Sequence, residues 1–294
     1  MAKLKPESIQ EQDLTEFLNS YSDFSFELKV LEMLREKGLE CEHGGLYEDP
    51  VTGKSREFDI RAMKTIGNYR VRLAIECKNI RDYFPVLISC IPRQENESYH
   101  QIALVNNPRY DGNFLVPRIT VSRAEVISIR GDHSLYKPGA FVGKSTVQVG
   151  RALNGSIVSN DNELYDKWSQ CLSSTHELVS RTYWDGDEDK DAHFFSSIIP
   201  IVVIPNGRLW EMDYDSNGSK LSNPYQKKRC SCFVDKSYEM GTNLAGTIIS
   251  ISHIEIMTYD GLIEFVGNYL ENENKITEIY SEEGIKDFLK DDDI

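Results

Sequence analysis

The chain of 294 residues has no apolar run approaching the roughly 18 residues that a membrane span needs. Its first residues, Met1-Ala2-Lys3-Leu4-Lys5-Pro6, lack the apolar stretch of a secretory signal. The expectation is a cytoplasmic protein with no membrane partner. Positive charge is scarce: 33 Lys and Arg face 47 Asp and Glu, for a net charge of −14. That argues against a protein that coats nucleic acid non-specifically, an affinity that rests on basic side chains neutralising phosphates. The six cysteines (Cys41, Cys77, Cys90, Cys171, Cys230, Cys232) are scattered, which suits a reducing compartment. Cys230-Ser231-Cys232 is their one close pair, and no CxxC or HxxxH partner gives it a zinc-site spacing. A nucleotide cradle is missing too. Gly139 and Gly143-Lys144-Ser145 enclose three residues where the phosphate loop needs four, and Pro138 stands where its first glycine belongs. Lys144 is left as a residue that could touch a phosphate. Internal repeats and low-complexity linkers are absent, so a single domain over residues 1–294 is expected.

What is present is ordinary globular material, 40% hydrophobic and 27% charged. Phe26, Val30, Leu31, Met33 and Leu34 recur at helical spacing from Phe24, and Gly38 supplies a stop. Two strands, Arg56–Ala62 and Arg70–Lys78, are expected to join around Ile66-Gly67-Asn68. Residues 106–159 read as an irregular β-containing insertion, with alternations at Ile119-Thr120-Val121 and Val126-Ile127-Ser128-Ile129. Asp161–Thr182 has the rhythm of a long amphipathic helix with Leu164, Trp168, Cys171, Leu172 and Leu178 inward. Ser197–Ile204 is a β-branched run suited to a strand buried on both faces, and helix is expected near Leu262–Leu270. The core is thus placed at 24–105 and 160–270, with an acidic tail at 281–294. A second acidic cluster, 185–189, reads as a solvated loop.

One constellation carries chemistry. Side chains alternate along a strand, so Leu73, Ile75 and Cys77 share one face while Ala74, Glu76 and Lys78 share the other. In the preceding strand Asp59 opposes the apolar Phe58 and Ile60, and pairing across the Gly67 turn would set Asp59 against Glu76. Two acids and a lysine at the end of an apolar strand cost stability, which asks for a functional reason.

Asp59 on one strand, Glu76-Cys77-Lys78 on the next, and Glu27 on a preceding helix resemble the PD-(D/E)xK superfamily of restriction-endonuclease-like proteins. Phe58 stands where the motif's name has proline. The resemblance implies an α/β fold with a central mixed sheet flanked by helices, and a nuclease acting on DNA. It implies Asp59, Glu76, Lys78 and Glu27 as catalytic residues. It also implies Mg²⁺ (or Mn²⁺) held by Asp59, Glu76, the Cys77 backbone carbonyl and Glu27. A restriction or phage-defence role, a homodimer and a partner subunit are further implications by analogy. Arg56, Arg61, Arg70, Arg72, Lys78 and Arg81 concentrate positive charge around the motif, and with Lys144 they are the candidate phosphate contacts. The alternative class is a non-catalytic module that binds nucleic acid or protein on the same fold.

Overall fold

The computed structural model describes residues 5–105, 124–183, 185, 194–241, 247–281, 283 and 285. Ile119-Thr120-Val121, most of the 185–189 acidic cluster and most of the acidic tail lie outside the described residues.

Helices α1 (Glu11–Ser20) and α2 (Phe24–Glu36) open the chain, and α2 buries Val30, Leu31, Met33 and Leu34 at the spacing read from the sequence. Gly38, at φ +74°, ends it in the left-handed region that glycine adopts without cost. β1 (Glu40–His43), β2 (Leu46–Glu48) and β3 (Ser55–Glu57) follow, then β4 (Ile60–Ile66) and β5 (Tyr69–Cys77). Strands β4 and β5 pair antiparallel from Ile66↔Tyr69 to Ile60↔Ile75, which leaves Gly67-Asn68 as the hairpin loop, with Gly67 at φ +56°.

One expected strand is broken in two. Ser55–Glu57 pairs with β2 in a separate small sheet, whereas Ile60 begins the large one. Between them the Phe58 N–H donates to the Gly45 carbonyl at 2.9 Å and its ring is buried. Asp59 therefore sits at the junction before β4 rather than on a strand face.

The chain continues through β6 (Val86–Pro92), β7 (Tyr99–Val105), β8 (Ala124–Arg130), β9 (Phe141–Arg151) and β10 (Ile157–Asn160). Then come α3 (Asn162–Thr182), β11 (Phe194–Ile204), β12 (Leu209–Asp213), β13 (Tyr225–Gln226), β14 (Arg229–Met240) and β15 (Thr247–Thr258). Helices α4 (Tyr259–Tyr269) and α5 (Glu273–Tyr280) follow. The large sheet runs β1-β4-β5-β11-β15-β14-β9-β6-β12-β13 and is mixed, with β5, β11 and β15 mutually parallel. The described part of 106–159 is regular: β8 pairs with β7, and β9 lies between β14 and β6 within the sheet.

Two apolar layers cover the sheet. Val30, Leu34, Leu73, Ile75, Ile201, Phe265 and Tyr280 belong to one, which includes α2, α4 and α5. Ala74, Val202, Ile204, Leu164 and Cys171 belong to the other, which includes α3. Central β11 feeds both, so its unbroken Ile198–Ile204 run has no solvent face. Burying each large aliphatic there contributes about 1.5–3 kcal/mol. The alternation read along β5 holds, with Leu73, Ile75 and Cys77 in the first layer and Ala74 in the second. Glu76 thus projects toward α3. No helix among the described residues is long and apolar enough to cross a membrane.

Candidate active site

Glu76 lies one residue from the end of β5 with no exposed surface. One step beyond the Ile60↔Ile75 pair, the antiparallel register brings Asp59 alongside it. The Cys77 N–H donates to Asp59 Oδ2 at 2.7 Å, which fixes that carboxylate against the Cys77 peptide. A cation enters from α3, in the second layer toward which Glu76 projects. Lys167 of α3 places Nζ 2.7 Å from Asp59 Oδ2 and 3.4 Å from Glu76 Oε2.

The sequence lysine, Lys78, does not touch this pair. Its Nζ is 3.0 Å from Asp23 Oδ2, and the Asn79 N–H donates to Asp23 Oδ1 at 2.7 Å. Asp23 precedes α2, yet its side chain makes no capping bond to that helix and instead holds Lys78 and Asn79, just past the end of β5. Glu27, one turn into α2, stands 3.5 Å from His43 Nε2. The site thus gathers Asp23, Glu27, Asp59 and Glu76 around Lys78 and Lys167.

The electrostatics reflect that crowding. Burial, then the charge of Asp59, pushes the Glu76 carboxyl well above its ordinary range, and Lys167 pulls it partly back. Burial and then Asp59 also raise Glu27. Burial alone would lower Lys167, but Asp59 and Glu76 outweigh it and carry the ammonium up. Glu76 Oε1 is buried without any hydrogen-bond partner. An orphaned buried acceptor costs about 1–3 kcal/mol. Two adjacent carboxylates, one with a free oxygen, fit a small hard cation held by Asp59 and Glu76. Glu27 stands apart from such a direct ligand set. Among the described residues, the one trio of His, Cys or acidic groups with ligand atoms all within 4.8 Å is Cys90, Glu211 and Cys230, elsewhere in the fold.

Two of the expected phosphate contacts, Arg61 and Arg72, are buried. Arg61 is buried, 3.0 Å from Glu177 Oε2, with its guanidinium 3.8 Å from the Phe58 ring centroid. Arg72 is buried against Asp185 at 2.7 Å, beside Arg70 on the same carboxylate. Both are structural counter-ions without access to a ligand. Lys144 is tied to Glu97, and Arg56 reaches Asp49 at 3.0 Å. Arg81 differs: it lies 4.0 Å over the Tyr21 ring, with Nη1 donating to the Tyr83 hydroxyl at 2.5 Å. Tyr21 and Tyr83 are both exposed there.

Sequence reasoning missed Lys167 and Asp23. Lys167 did leave a signal. It sits three residues after Leu164 and four before Cys171, on the stripe that α3 buries, where a lysine needs an acidic partner. No protein-family model matches the chain, and no curated protein or solved structure matches it.

Proposed function

We propose that the protein is a metal-dependent nuclease of the PD-(D/E)xK kind that hydrolyses DNA phosphodiester bonds. The observation that carries the reading is the paired Asp59 and Glu76 at the adjoining ends of β4 and β5, with a free Glu76 oxygen and Lys167 beside them. The arrangement around them supports it. Helix α2, strands β1, β4 and β5, helix α3 and strand β11 follow in the order that the resemblance implies, and β1-β4-β5-β11 are consecutive in the sheet.

Asp59 and Glu76 would hold Mg²⁺ or Mn²⁺, which when bound supplies a Lewis acid that lowers the pKa of water and neutralises phosphate charge. Glu27 faces the same space and would hold a water rather than the ion. The amines of Lys167 and Lys78 would orient the attacking water and meet charge growing on the phosphate. Arg81 would contact a flanking phosphate, and Tyr21 and Tyr83 offer exposed rings on which a base can stack. A restriction or phage-defence role, with two copies supplying two sites for two strands, is the biological setting by analogy.

A second reading is favoured by Lys167 itself, whose ammonium already compensates both carboxylates. On that reading the fold is a catalytically silent module that binds nucleic acid or a protein. Cleavage of supercoiled, linear and single-stranded DNA with Mg²⁺, Mn²⁺ or EDTA separates the two. Metal-dependent cutting lost in Asp59→Ala and Lys167→Ala supports the nuclease, and the relative loss in Lys78→Ala ranks the two lysines. Inert wild type on every substrate favours the silent module, and cutting that survives Asp59→Ala refutes this site.

A further inference from the structure

A second cluster of ligand-type side chains lies on the same face of the sheet as Glu76, among the strands β12, β6, β9 and β14. Cys90 of β6 and Cys230 of β14 come from strands that are not neighbours, since β9 runs between them. Their sulfurs are nevertheless 3.6 Å apart. The intervening strand presents Gly143 there, in register with both Cys90 and Cys232. A Cβ at Gly143 would stand 2.5 Å from Cys232 Sγ and 2.8 Å from an Ile88 methyl. Gly143 thus leaves room on this face for Cys232 and Ile88, which flank the two thiols along their strands.

Two acids complete the cluster. Glu211 and Asp213 are two apart on β12 and share a face, and Asp213 pairs in register with Cys90. The ligand atoms of Cys90, Cys230 and Glu211 all lie within 4.8 Å of one another, and all three residues are buried. The acids have too few donors. The Tyr225 hydroxyl is 2.8 Å from Glu211 Oε1 and 2.9 Å from Asp213 Oδ2, but it has a single proton to give. Lys227, half out in solvent, stands 3.7 Å from Glu211. Asp213 Oδ1 is buried with no partner at all.

We propose that Cys90, Cys230 and Glu211 hold a structural Zn²⁺ that ties β6, β12 and β14 together, with Asp213 beside them as a further acid. The metal class follows from the donors. Thiolate sulfur selects a borderline-soft ion over Mg²⁺, and the Glu211 carboxylate adds an oxygen donor of the kind zinc accepts. The geometry agrees, because two sulfurs each about 2.3 Å from a tetrahedral zinc stand about 3.8 Å apart. Tyr225 and Lys227 then act as the outer groups that orient the two carboxylates and offset their charge. A disulfide between the same cysteines would require the sulfurs to close to about 2.05 Å and would leave both acids uncompensated. The site is separate from the Asp59–Glu76 pair and does not rest on the nuclease reading.

The test uses the full chain expressed with zinc and dialysed. Elemental analysis should find about one zinc per chain. Replacement by Co²⁺ after chelation should give the near-ultraviolet thiolate charge-transfer band and the visible spectrum of a tetrahedral site. Cys90→Ser and Glu211→Gln should each lose bound metal at least about tenfold, because each removes one of the three converging ligands. Cys41→Ser and Asp59→Ala should keep it, which separates this site from the nuclease site. The wild type alone also decides, in case the variants do not fold: chelation should lower Tm and added Zn²⁺ should restore it. The proposal is overturned if folded wild type carries no zinc and neither Zn²⁺ nor Co²⁺ shifts its Tm. It is equally overturned if intact mass and peptide mapping show Cys90 and Cys230 joined as a disulfide.

Discussion

Replacing Lys167 by methionine keeps the length of the side chain and removes its charge. The ammonium is 15% exposed and lies within 3.4 Å of two buried carboxylates, so its loss leaves Asp59 and Glu76 facing each other uncompensated. Breaking a buried pair in this way costs about 3–5 kcal/mol. Proton uptake sets a ceiling on that cost. Protonating one carboxyl of ordinary pKa 4.5 at about pH 7.5 costs about 4 kcal/mol, and at about pH 5.5 about 1 kcal/mol. The sign follows from linkage. Glu76 already holds its proton more tightly folded than unfolded, so its burial destabilises increasingly as pH rises above 4.5, and losing Lys167 deepens that trend. The expected outcome in EDTA is a Tm about 8 °C below wild type at about pH 7.5, and a gap of only about 2 °C at about pH 5.5. Mg²⁺ should narrow the gap at the higher pH, since a cation held by Asp59 and Glu76 replaces the missing charge. Differential scanning fluorimetry across pH with and without Mg²⁺ measures all of this. If Lys167→Met melts with wild type at both pH values, the ammonium is not the counter-charge of the pair and the electrostatic account of the site fails.

Three further outcomes follow from other buried groups. Burial lowers the His100 imidazole from 6.5 to about 4, and its Nε2 donates to the Ile279 carbonyl at 2.6 Å. The unfolded chain takes up that proton first, so about 3 kcal/mol of stability should be lost as pH falls from 6.5 to about 4. His100→Gln should flatten this part of the curve of Tm against pH. Asp185 is buried under Arg70 and Arg72 and accepts from the Ser196 hydroxyl at 2.7 Å. Asp185→Ala should therefore cost about 3–5 kcal/mol in urea unfolding, and Ser196→Ala only about 1 kcal/mol. Gly143→Ala, whose new methyl would collide with Cys232 Sγ and Ile88, should cost about 1–3 kcal/mol and weaken zinc retention.

Local rules made the β4–β5 hairpin, α3 and the doubly buried β11 legible, because each depends on the period of its own residues and on a turn at Gly67. The same period of two assigned Glu76 and Lys78 to a common face, yet it could not say what each would meet there. Lys78 turned out to meet Asp23, fifty-five positions away, and Glu76 met Lys167 on α3. Arg61 and Arg72 looked like a basic surface only because their partners, Glu177 and Asp185, come from more than a hundred residues downstream. The break at Phe58 was hidden for a related reason, since what ends that strand is a hydrogen bond to Gly45 across a loop. Cys90, Glu211 and Cys230 are the extreme of this pattern. Metal motifs are recognised by spacing within one turn or loop, and the spacing between Cys90, Glu211 and Cys230 carries no such signal. Their proximity is set by the register of β12 on β6 and of β9 between β6 and β14. A strand's own sequence sets the face on which each side chain stands, but long-range register decides its partner, and it is the partner that turns a buried acid or thiol into a site.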